Sequence, residues 1–207
     1  MSFSKTEIFN LATSALLLSR EINNADTDES NEARVLNLHW NIAFSSTLQE
    51  LDLDSLSKPV TLEKIENNPD TNSPWAIIYY YPNNCAFLRR LQSRAVTDNK
   101  FTHIAKRTGI YNGFKAIYTN EDSAVAEIIP TDIDLKLLSP MAAMAVAYKL
   151  ANLSAPLITG KGAKTLRESL SDTFKIYKTE AQEQDKLENF NFEEPYVRSE
   201  FVQERIS

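Results

Sequence analysis

Between residues 28 and 48 the chain reads D-E-S-N-E-A-R-V-L-N-L-H-W-N-I-A-F-S-S-T-L, and its apolar positions recur at helical spacing. Ala33, Leu36, Trp40, Ala43 and Phe44 share one side, and Leu48 and Leu51 continue the stripe. Glu32, Arg34, Asn37, Asn41 and Ser45 fall mostly elsewhere. The pattern predicts a long amphipathic helix over about 28–51. Thr27 or Asp28 is placed to cap it, and Asp28, Glu29 and Glu32 put negative charge where the helix dipole favours it. Leu36, Trp40 and Phe44 are the expected core anchors, with the large, rigid indole filling space between helices.

The same reading predicts three further helices. Ser4-Lys5-Thr6-Glu7 has the form of a capping box and opens a helix over about 5–17, with Ile8, Leu11, Ala12, Ala15 and Leu16 on its apolar face. Ser139-Pro140 sets a cap and a proline at the first helical position, ahead of the nearly all-apolar run M-A-A-M-A-V-A-Y-K-L-A. That helix is expected over about 140–152, broken by Pro156 and the T-G-K-G segment, and buried on most sides, partly by other subunits. A fourth helix is expected over about 163–189, its stripe formed by Leu166, Leu170, Phe174 or Thr173, Tyr177 and Ala181.

Between the second and third helices the period changes. W-A-I-I-Y-Y-Y-P (75–82) fits a buried strand or a short helix by its pattern, and its β-branched and aromatic content favours the strand. In 87–96, Phe87, Arg89 and Leu91 alternate with Leu88, Arg90 and Gln92, as a strand requires. Residues 114–119 and 124–129 read as a hairpin turning at Asn120-Glu121-Asp122-Ser123, with Gly109 and Gly113 at the bends before it. The fold class expected is α+β and mainly α: a helical bundle over 1–189, a small antiparallel β region inserted at about 75–130, and an extended arm over 190–207.

Charge gives the arm its character. Residues 180–207 hold eight acidic groups against three basic ones, a net of −5 within a chain of net charge −6. Phe190, Phe192, Tyr196, Phe201 and Ile206 are interleaved with them. An acidic segment with regular aromatics suits an arm that docks on a partner; folding back on its own core is the alternative. The overall acidity argues against a protein that grips nucleic acid by bulk charge. The basic cluster Arg89, Arg90, Arg94, Lys100, Lys106 and Arg107 is the candidate contact surface, and it favours a protein partner over nucleic acid.

Signals for catalysis are weak. The single cysteine, Cys85, allows no internal disulfide. His39 and His103 are 64 residues apart with no ligand spacing near either, so no metal is expected. Gly160-Lys161-Gly162-Ala163-Lys164-Thr165 departs from a phosphate loop because Ala163 stands where G-x-x-x-x-G-K-[ST] requires glycine. It reads as a helix connection whose helix start could meet an acidic group of a neighbour. The carboxylate pairs Asp52/Asp54 and Glu193/Glu194 lie in polar segments and read as solvated charge. With only four glycines, the chain has little capacity for ligand-cradling loops. No catalytic site and no cofactor are expected, and no apolar run approaches the roughly 20 residues of a membrane span.

In order, the segments resemble the tail tubular protein A family, the head-to-tail adaptors of short-tailed phages. I-F-N-L-A-T-S-A-L is followed by E-A-R-V-L-N-L-H-W-N-I-A-F, with Ala33, Trp40, Ala43 and Phe44 at the characteristic positions. Y-Y-Y-P-N-N-C-A-F-L-R-R (79–90) is similar to the family's tyrosine-proline-cysteine segment, with Asn84 where aspartate is usual and Ala86 where leucine is usual. I-Y-T-N-E-D-S-A-V-A-E-I (117–128) looks like its hairpin. P-M-A-A-M-A-V-A-Y-K-L-A-N-L-S-A-P-L-I-T-G (140–160) is similar to its alanine-rich helix. The resemblance implies a structural virion protein, made in the host cytoplasm, that assembles as a twelvefold homo-oligomeric ring. The ring would bind the portal protein above and the tail nozzle protein below, with viral DNA passing non-specifically through its lumen. Another ring-forming head-completion or tail component is the nearest alternative, ahead of a DNA-binding protein.

Overall fold

The computed structural model describes residues 3–93, 104–160 and 163–189. Four helices and two small antiparallel sheets make it a mainly helical α+β fold. The helices are α1 (Lys5–Ala15), α2 (Asn31–Leu51), α3 (Pro140–Ile158) and α4 (Ala163–Glu188). The strands are β1 (Lys58–Thr61), β2 (Lys64–Asn67), β3 (Ile77–Tyr80), β4 (Cys85–Ser93), β5 (Arg107–Tyr111), β6 (Phe114–Thr119) and β7 (Ala124–Pro130).

α3 is the centre of the helical layer and packs against α1, α2 and α4. It is apolar and long enough, by length and composition, to cross a membrane, yet Ala142, Ala143, Val146, Ala147, Leu150 and Ala151 are fully buried among the other helices. Small side chains on most sides let three helices approach it closely. Ser139 caps it and Pro140 opens it as expected, but the helix continues through Pro156 to Ile158. The reason is that a proline in the last turn removes only one hydrogen bond from a helix held by packing along its length. α1 carries the full capping box between Ser4 and Glu7. It ends at Ala15 rather than 17 because Leu17 turns left-handed, with φ 60°. The amides of Leu17 and Leu18 then bond back to the carbonyls of Ser14 and Thr13, the closure normally made by glycine. α2 starts at Asn31, not 28, because Ser30 accepts the Ala33 amide and is the cap. α4 ends at Glu188.

The β region spans 58–130, wider than the 75–130 expected, because β1 and β2 precede that stretch in the chain. Its strands form two sheets, ordered β1-β7-β4 and β2-β3-β6-β5. They pack through Leu62, Ile77, Tyr79, Leu88, Leu91, Ile117, Ala124, Ala126 and Ile128. The expected hairpin of 114–119 with 124–129 does not form. β6 pairs with β3 and β5, β7 pairs with β1 and β4, and the chain at 120–123 passes from one sheet to the other. β6 instead makes its hairpin with β5, turning at Asn112 (φ 47°) and Gly113 (φ 83°), the two left-handed residues that a tight hairpin turn demands. The simple alternation expected of 87–96 is also broken. β4 has register shifts at Ala86 and Arg89, so Leu88 and Leu91, three residues apart, both face the sandwich core, as a bulge allows. Ala86 and Ile129 face the other way, into the helical core.

Candidate functional site

The densest polar arrangement lies where the β region meets the helices. The bulge in β4 sets Arg89 and Arg90 together opposite Glu127 of β7. Glu127 interrupts an otherwise apolar strand and is only 7 % exposed. Arg89 Nη1 donates to Glu127 Oε1 at 2.8 Å and to Asp54, and its Nε donates to Asp52 Oδ1 at 2.5 Å. Arg90 Nε donates to the second Glu127 oxygen, which also accepts from Gln92. Burial pulls the Arg89 pKa down, but the hydrogen bonds to Asp54 and Asp52 outweigh it and leave the guanidinium more firmly protonated than usual. Asp52 takes the left-handed position that terminates α2, and a short 3-10 helix at Asp54–Leu56 follows.

α4 completes this junction from the other side. Gln182 donates to the carbonyls of Glu50 and Leu51, left over at the end of α2. Asp185 accepts from the amides of Asp54 and Ser55 at 2.7 and 3.0 Å. Asp185 falls four residues after Ala181 and extends the buried stripe of α4. Asp52 and Asp54, read from sequence as solvated charge, therefore bind Arg89, because the fold delivers a cation to a loop that shows none in sequence. Glu127, Gln182 and Asp185 are absent from the sequence-level candidates. A lone carboxylate in an apolar strand two residues from Ile129 is the signal that singles out Glu127; nothing local marks the other two.

The remaining members of the basic cluster separate. Lys106 Nζ donates to the carbonyls of Leu88 and Arg89 at 2.9 and 3.0 Å, closing the bulge, and burial lowers its pKa. Arg107 is exposed and borders a cleft of about 290 Å³ with Asn68, Asp70, Tyr111 and Tyr118. Arg94, Lys100 and His103 lie outside the described residues, as do the arm positions Phe190, Phe192, Tyr196, Phe201 and Ile206 and the pair Glu193/Glu194.

Of the anchors, Leu36 is fully buried and Phe44 is 6 % exposed. Trp40 is only half-buried. It stacks on Phe44 with ring centroids 5.2 Å apart and meets the Phe9 ring edge-on at 5.7 Å. Its free side borders a groove with Lys5, Asn41, Ser45, Ile133 and Leu135. Opposite the core, Leu38 and Ile42 make a second apolar ridge on α2, 67 % and 64 % exposed.

Groups suited to chemistry are engaged structurally. His39 Nδ1 lies 3.1 Å from Ser154 Oγ, and that serine is fully buried. Burial raises the Cys85 thiol pKa, and its Sγ is 3.5 Å from the Tyr81 hydroxyl, which burial also raises. Among the described residues no three His, Cys, Asp or Glu side chains gather as they would around a metal ion. Compared with known proteins, the chain matches no protein-family model and no curated protein.

Proposed function

We propose that this chain is a structural head-to-tail adaptor of a short-tailed phage. Copies assemble into a ring, in the number of twelve that the resemblance implies, between the portal above and the tail nozzle below, and DNA passes through the lumen. What carries the reading is the ordered run of segments similar to the tail tubular protein A family. Each quoted segment falls on its own part of the fold in chain order: α1, α2, the β3–β4 passage, β6–β7 and α3. The exposed ridge of Leu38 and Ile42, together with Leu157, Ile176 and Leu187, supplies apolar surface for neighbours. Heterologous contacts of that kind close into a ring when the rotation per subunit permits it. A net charge of −6 favours a lumen that does not hold DNA.

Native mass spectrometry of the full chain with the portal ring of the same phage tests the reading. Uptake of about a dozen copies per portal is the expected result. No uptake overturns the portal partnership and moves the ring elsewhere in the virion. Removal of residues 190–207 is expected to abolish portal uptake while the circular dichroism of the helices is retained.

A further inference from the structure

Arg89, Arg90 and Lys106 are bound internally and offer the acidic arm no free cation. A cleft of about 440 Å³ opens between α3 and the start of α4, lined by Asn152, Pro156, Ala163, Lys164, Arg167 and Glu168. Its walls are more apolar than polar. Lys164 and Arg167 are exposed and have no ion-pair partner among the described residues. The first part of the arm, Phe190–Tyr196, offers the complement: three aromatic side chains, the carboxylates of Glu193 and Glu194, and no basic residue.

We propose that this cleft holds the Phe190–Tyr196 stretch of a second copy of the chain. The aromatic side chains lie against Pro156 and Ala163, and Glu193 and Glu194 face Lys164 and Arg167. The same stretch of the same copy does not reach. It leaves from Asn189, at the far end of α4, and Arg167 lies about 33 Å back along that helix at 1.5 Å per residue. Glu194, five residues past Asn189, extends only about 17 Å from it even when fully stretched. Each copy thus presents an acidic arm at one end of α4 and its receptor at the other, a head-to-tail arrangement. The contact shares with the adaptor reading only the premise that 190–207 is an arm.

Sedimentation velocity of the full chain over a concentration series tests it, using K164E/R167E, E193K/E194K and the four-substitution combination. Each pair is expected to weaken self-association about tenfold or more, two opposed charge contacts being lost and replaced by like-charge pairs. The combination is expected to return it to near the native value. These positions are exposed or in the arm, and unchanged circular dichroism separates loss of contact from loss of fold. A synthetic peptide of residues 190–207 is expected to bind the native full chain and not K164E/R167E. No self-association of the native chain, no rescue by the combination, or equal peptide binding by both proteins overturns the proposal. Portal uptake is scored separately, so failure of either contact leaves the other open to measurement.

Discussion

Arg89 keeps 14 % of its side chain exposed and faces Asp52, Asp54 and Glu127 at once. Removing Arg89 leaves the nearly buried Glu127 with Arg90 alone and takes the cation from Asp52 and Asp54, whose side chains are 44 % exposed. Arg89→Ala is therefore expected to lower stability by about 1–3 kcal/mol in urea unfolding, the range of lost charged hydrogen bonds. Because the groups act together, Arg89→Ala with Glu127→Ala should cost less than the sum of the two single changes. Leu17 holds φ 60° with 84 % of its surface exposed. Leu17→Gly is expected to be neutral or to raise stability by about 0.5–1 kcal/mol, since the left-handed strain is relieved without loss of packing. Glu7 and Asp28 have lowered carboxyl pKa values, first through the side-chain hydrogen bonds of Ser4 and Ser30 respectively. A lowered carboxyl pKa gives stability that is present above the unfolded value and lost as pH falls through the folded one. Thermal melts are thus expected to fall as pH drops below about 4, and less so for Glu7→Gln. Residue types alone announced the Ser4–Glu7 box; the partners of Arg89 could not be read, because Asp52 and Glu127 stand 37 and 38 residues from it.

At the scale of elements, the helices were legible wherever period and cap agreed. Ser139 with Pro140, and Ser4 with Glu7, placed two helix starts correctly. Ser30 was passed over for Thr27 or Asp28 because several cap-forming residues stand in a row, and only the bond to the Ala33 amide chooses among them. Ser139→Ala is expected to cost about 1 kcal/mol, measured as a shift in unfolding midpoint. In the strands, the Asn112-Gly113 pair was the stronger hairpin signal and Asn120–Ser123 the weaker. Gly113→Ala should cost about 1 kcal/mol, because φ 83° is retained while a Cβ is added. Strand partners follow from the packing of two sheets, which no local pattern encodes. The bulge at Arg89 is likewise invisible in an alternating run.

Over the whole molecule, α4 ties the parts together. It covers α3, closes the open carbonyls of α2 through Gln182, and holds the start of the 3-10 helix through Asp185. Gln182→Ala is expected to destabilise the chain by about 1–2 kcal/mol, since the Leu51 carbonyl is left without its donor. Native-state hydrogen exchange should then report faster opening at the β-region junction than in α3. The proposed ring and portal partnership belong to this scale too, and would rest on surfaces that one copy leaves exposed.

By itself, the sequence determined the four helices, the apolar character of α3, the presence of a β region between α2 and α3, and the acidic aromatic composition of residues 190–207. These follow from local period, capping chemistry and charge, which act within a few residues. Tertiary structure alone decided that the β region forms two sheets, that Arg89 and Arg90 turn inward to Glu127, that Trp40 borders a groove, and that Lys164 and Arg167 find no ion-pair partner among the described residues. Each of those depends on groups brought together from distant parts of the chain, where the low-dielectric junction and the closeness of packing select the partners.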